Sequence, residues 1–124
     1  MANRSFFGIP PGPDSALVWT RPTFVNNWVD YEALAPGVSR NAMFAKDERT
    51  GVVYMRGLMG TGTINTVAFT LPMGYRPPWQ LHIVTASNNL FGLLVIGADG
   101  TVKPSVGSSA WVSLAVCFAT NQGY

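Results

Sequence analysis

Beyond about residue 24 the apolar positions of this chain gather into short strand-like runs separated by turn residues. The runs are NWVDY (27–31), NAMFAK (41–46), VVYMRGLM (52–59), TINTVAFTL (63–71), WQLHIVTA (79–86), NLFGLLVIG (89–97), TVKPSV (101–106) and AWVSLAVCFAT (110–120). No stretch of a dozen residues keeps the i, i+3, i+4, i+7 repeat of an amphipathic helix between breakers. YEALAPGV allows one helical turn before Pro36 and Gly37 end it. KDERTG joins two of the runs and carries its charges at a hairpin tip. Ala98-Asp99-Gly100 joins two more, and Asp-Gly between apolar strands is a strong hairpin signal. Short strands punctuated every 8–12 residues or so predict an all-β fold, an antiparallel, jelly-roll-like β-sandwich.

The first 22 residues read differently. FFGIPPGPDS combines three prolines with two adjacent phenylalanines, and proline fixes φ and removes a backbone donor. Phe6, Phe7, Ile9 and Trp19 are too aromatic and apolar for a solvated tail. The expected division is therefore an extended docking arm over 1–22 and a sandwich knob over 23–124.

LPMGYRPP (71–78) interrupts the strand pattern. Pro72 ends a strand, Gly74 admits a backbone angle that other residues avoid, and Pro77 and Pro78 stiffen the exit. A two-residue hairpin needs none of this, so the expectation is a wide crossing from one sheet to the other. Arg76, held between Tyr75 and two prolines, is placed to bond corner carbonyls or to stack on a ring.

Composition narrows the functional classes. Charged residues make up 11% of the 124, against about 25% in a typical soluble domain. So few charges imply a surface rich in Ser, Thr and Asn, a surface partly covered in an oligomer, or both. The net charge is +2 and the eight basic residues are scattered, which argues against nucleic-acid binding. Cys117 is the single cysteine, so there is no intrachain disulfide framework, and its run VCF predicts a small buried hydrophobe. The longest apolar run, LFGLLVIGA, is half a membrane span. The N-terminus lacks the apolar stretch of a signal peptide, so synthesis in the cytoplasm is expected.

The residues suggest no catalytic set. His82 is the only histidine, and one His with one Cys cannot build a typical zinc site. Asp30 and Glu32 would share a strand face on either side of Tyr31 and read as solvated carboxylates. The glycines of RGLMGTGT precede a strand rather than the helix that a phosphate loop requires. Trp28, Tyr31 and Trp79 could line a carbohydrate platform, with core and interface packing as the competing role. No cofactor, metal or catalytic residue is expected.

FVNNWVDY, FAKDERTGVVYMRG, LPMGYRPP, VIGADGTV and WVSLAVCF, in that order, resemble the small β-sandwich knob of tail-fibre and minor structural proteins of tailed bacteriophages. The likeness covers roughly residues 24–119. It implies a homotrimer displayed on the virion surface, an architectural role for Leu71, Tyr75, Arg76, Trp111 and Leu114, and no catalytic residue. It makes Leu71, Pro72, Tyr75, Arg76 and Pro77 a structural corner. Knobs of this kind often cap a long fibre, whereas here only some twenty residues precede the domain. The expected attachment is therefore the arm, docked on capsid or tail proteins as in a capsid decoration, head-fibre knob or minor tail protein. The alternative is a receptor-binding module that grips host cell-surface glycan. An enzyme lacks a nucleophile and base.

Overall fold

The structure, a computed structural model, describes residues 17–120. It is an all-β antiparallel sandwich. In chain order the strands are β1 (Val29–Asp30), β2 (Met43–Asp47), β3 (Val52–Arg56), β4 (Leu58–Gly60), β5 (Phe69–Thr70), β6 (Leu81–Ser87), β7 (Leu90–Ile96), β8 (Thr101–Val106), β9 (Val112–Ser113) and β10 (Cys117–Ala119). They divide unequally. Seven form one sheet in the order β1-β4-β9-β6-β7-β8-β5, and three form the other in the order β10-β3-β2.

Local chemistry explains the turns. The β6–β7 hairpin closes through Asn88 and Asn89, both with positive φ. Left-handed conformation at both central positions is the type I′ arrangement, whose twist matches the flanking strands, and Asn tolerates it. Between β7 and β8 the Asp99 carboxylate accepts from the Thr101 N–H (3.1 Å) and hydroxyl (2.8 Å). Those bonds hold the exposed Asp99 carboxyl below its usual range, with the field of Arg76 a minor contribution. Pro104, which cannot donate to a ladder, lies where the β7–β8 register slips.

Two apolar runs that read as single strands change sheets midway. The run 52–59 passes from β3 in the small sheet to β4 in the large one through Gly57, whose φ is +91°. The run 110–120 turns between β9 and β10, where Val116 N–H donates to the Leu114 carbonyl at 2.7 Å. The two bends are bonded together, Leu114 N–H donating to the Gly57 carbonyl at 2.8 Å. Strands that cross from sheet to sheet at bends make the closed corners of such sandwiches.

LPMGYRPP is not such a crossing. It connects β5 to β6 within the large sheet, where β8 and β7 lie between them. Three hairpin-linked strands plus a fourth returned by a long connection is a Greek key. The long connection must span three strand spacings, about 14 Å. It does so over one end of the sandwich, where the half-buried Tyr75 ring meets Phe44 of β2 edge-on at 5.4 Å between centroids.

Other departures have local causes. TINTVAFTL is mostly turn, because Asn65 takes positive φ, and only Phe69–Thr70 joins a ladder. NWVDY yields two ladder residues before a short 3-10 helix over Tyr31–Ala33, so Asp30 and Glu32 do not share a strand face. Asp30 caps that helix, accepting from Glu32 N–H, and its second oxygen accepts from Ala42 N–H, both at 3.0 Å. Cys117 is exposed rather than buried, because it is on the outward side of β10 opposite Tyr54.

The core lies between the sheets. Phe44, Val53, Met55 and Phe118 come from the small sheet, and Met59, Phe69, Leu94, Ile96, Val102 and Val112 from the large one. The stacked rings of Phe44 and Phe69, 6.5 Å apart, join the layers. Ser87 is a buried polar group. Its hydroxyl accepts from Ser108 N–H at 2.7 Å and donates to the Trp111 carbonyl at 2.9 Å, tying the loop before β9 to the end of β6.

Candidate functional site

Two surfaces stand out, and the strand periodicity makes the first. On β6, Leu81, Ile83, Thr85 and Ser87 turn inward, while His82, Val84 and Ala86 are exposed. The ladder sets His82 opposite Val95, Val84 opposite Leu93 and Ala86 opposite Phe91. β8 continues two rows, with Lys103 opposite Val95 and Val106 opposite Leu93. The outer face therefore has a polar end, with His82 and Lys103, and an apolar end towards the Asn88-Asn89 turn. Val84 is 65% exposed and Phe91 55%. His82 pairs with the Gln80 amide at 3.0 Å. An antiparallel sheet that faced water here would alternate apolar with polar residues. This one presents Val84, Ala86, Phe91, Leu93, Val95 and Val106 together, the pattern of a face that packs on another protein surface.

The second surface is an open cleft of about 400 Å³ where the charged hairpin tip meets the corner. Its walls include Lys46, Glu48 and Arg49 from the β2–β3 hairpin, Gly74 and Arg76 from the corner, and Thr120. Lys46 Nζ donates to the Gly74 carbonyl at 2.7 Å and lies 5.9 Å from the Tyr75 ring centroid. Glu48 stands 3.7 Å from Lys46 Nζ and Asp47 3.9 Å from Arg49 Nε, both longer than a hydrogen bond. Arg76 Nε donates to the Leu71 carbonyl at 2.8 Å, which closes the corner and fixes the guanidinium plane. Leu71 and Pro77 are buried, and Pro72 is exposed.

The three candidate glycan-contacting aromatics do not form a platform. Trp28 is in the core at 2% exposure, its Nε1 donating to Thr66 Oγ1 at 3.2 Å, so it offers no ring to a ligand. The ring thus takes the competing role of core packing, which the sequence leaves open because a Trp between Asn27 and Val29 carries no burial signal of its own. The signal was further along, at Gly62, which lies flat against the indole, so that a Cβ there would overlap the ring. Tyr31 is half-buried and Trp79 is 49% exposed. Trp79 precedes the Leu81 end of β6, whereas the β1–β4–β9 ribbon that leads to Tyr31 meets β6 at Ser87. Those two ends of β6 are about 20 Å apart.

Of the arm residues, Phe6, Phe7 and Ile9 lie outside the described residues. Trp19 is half-buried, and the Arg56 guanidinium carbon sits 4.2 Å from its ring centroid. Beside it Thr20 and Phe44 exchange backbone bonds of 2.8 and 2.9 Å, which adds the chain to the free edge of β2. Among the described residues no group of three or more His, Cys, Asp or Glu is placed to hold a metal, and no helix is long and apolar enough to cross a membrane.

The fold and these surfaces define a β-sandwich with an apolar outer face and an open, cation-lined cleft. No family model, no curated protein and no solved structure matches the chain.

Proposed function

We propose that this protein is a non-enzymatic structural subunit, a homotrimeric knob on the surface of a tailed-bacteriophage virion, attached through its N-terminal arm to capsid or tail protein. The observation that carries the self-association is the apolar outer face of β6, β7 and β8. A chain with 11% charged residues has little means of solvating such a face, and another copy supplies a partner equally poor in charge. Turning the three faces towards a common axis withdraws Val84, Phe91 and Leu93 from water and leaves His82 and Lys103 at the polar end. The virion setting rests on the resemblance of the hairpins, the LPMGYRPP corner and the final strand to phage knobs.

Light scattering on the purified chain tests the assembly. A trimeric mass is expected, and Val84→Lys with Phe91→Lys should give a folded monomer, because both side chains point away from the core. A wild-type monomer at micromolar concentration overturns the reading. Mass spectrometry of purified virions tests the setting, since a subunit must be present in stoichiometric copies.

A further inference from the structure

The cleft between the hairpin tip and the corner is not used by the proposed assembly. Among the described residues three of its walls are cationic, Lys46, Arg49 and Arg76, and each has a carboxylate nearby: Glu48, whose side chain is 71% exposed, stands 3.7 Å from Lys46 Nζ, Asp47 stands 3.9 Å from Arg49 Nε, and Asp99 lies in the field of Arg76. The cations are also held in different ways. Lys46 has a side chain only 17% exposed and spends one N–H on the Gly74 carbonyl, which leaves two N–H groups near the opening. Arg76 spends Nε on the Leu71 carbonyl, and its terminal nitrogens have no hydrogen-bond partner among the described residues. Arg49 is 63% exposed at the rim. A guanidinium anchored through Nε with both terminal nitrogens free presents a planar pair of donors, the geometry that suits an oxyanion.

We infer that this cleft is a binding site for an anionic saccharide, its phosphate or carboxylate group held by Arg76, Lys46 and Arg49. The oxyanion follows from the donors left free on Lys46 and Arg76. The sugar follows from the size and the lining. A volume of about 400 Å³ exceeds what a bare phosphate fills and is in the range of small-ligand sites. Among the described residues the lining has no aliphatic or aromatic side chain, only charged groups, threonines and glycine backbone, which suits a hydroxylated body rather than an apolar one. Three segments far apart in sequence build the site, and the bond from Lys46 to Gly74 holds two of them together. The inference does not depend on self-association.

NMR titration of the full chain with inorganic phosphate, glucose 1-phosphate, glucuronate and glucose tests it. Glucose 1-phosphate and glucuronate should shift the amides of Gly51, Gly74 and Thr120 at millimolar concentration, and glucose should not. Arg49→Gln, at an exposed position, should leave the spectrum of the folded protein intact and weaken binding about tenfold, the loss of one charge-assisted contact. Silence with both sugar anions, or equal binding by Arg49→Gln, overturns the site. Inorganic phosphate binding as tightly as glucose 1-phosphate overturns the saccharide assignment.

Discussion

Lys46 Nζ donates to the carbonyl of Gly74 at 2.7 Å, and this bond joins two segments that look unrelated in the sequence. One is a charged hairpin tip and the other a proline-rich connection. Together with the Tyr75–Phe44 contact it seats the Greek-key connection on the small sheet and shapes the cation-lined cleft.

Arg76→Ala should destabilise the fold. It removes a charged donor from the buried Leu71 carbonyl and leaves the corner open. Losses of this kind cost about 1.5–3 kcal/mol. Chemical denaturation should show a lower midpoint at an unchanged slope, and Arg76→Lys should not restore it, because an ammonium lacks the anchored plane. An unchanged midpoint would remove Arg76 from the corner's architecture.

Gly62→Ala should be more damaging than its position in an exposed-looking loop suggests. The added methyl overlaps the buried Trp28 indole, which is packed into the core. Overpacking of this kind costs about 1–3 kcal/mol. The thermal midpoint should fall, and Trp fluorescence should report a displaced indole. Wild-type stability in this variant would mean that the indole has room to move.

Ser87→Ala should lower stability by about 1–3 kcal/mol, since it strands the Ser108 N–H beside the Trp111 carbonyl in a buried site. Hydrogen exchange at the Ser108 amide is the direct readout and should accelerate. Unchanged protection there would show that the serine is replaceable.

A chain beginning at Leu17 and one beginning at Thr23 should differ. The shorter chain loses both backbone bonds between Thr20 and Phe44 and the Trp19 ring from beside Arg56. The two bonds alone amount to about 1–3 kcal/mol. The chain from Leu17 should melt higher than the chain from Thr23, and equal melting temperatures would show that residues 17–22 add nothing to the sandwich.

Thr101→Val should raise the carboxyl pKa of Asp99, because the Thr101 hydroxyl is the leading cause of its depression. The sign for stability follows. A carboxyl depressed by folding contributes stability that is present above its unfolded value and is lost as pH falls through the folded one. Wild type should therefore lose a small stability increment on acidification below the usual carboxylate range, and the variant should lose less. Side-chain carbonyl shifts of Asp99 followed against pH give the answer, and identical titrations in both proteins would sink it.

The sequence by itself determined the all-β class, the position of the longer strands and two of their hairpins. These are local matters. Period-two burial on β6, the turn chemistry of Asp99-Gly100 and the charges at the tip of KDERTG act over a few residues, and nothing distant competes with them. Which strands share a sheet was decided only by tertiary structure. The bends at Gly57 and Leu114–Val116 are hidden inside apolar runs, because residues on both sides of a sheet-to-sheet crossing are equally buried. The conspicuous corner at 71–78 reads as that crossing, yet it returns within one sheet, since proline and glycine show that a chain turns but not where it goes. The burial of Trp28 depended on Gly62, and the cleft depended on bringing Lys46 and Gly74 together across 28 residues. Such pairings are fixed by the packing of whole layers, which no local pattern encodes.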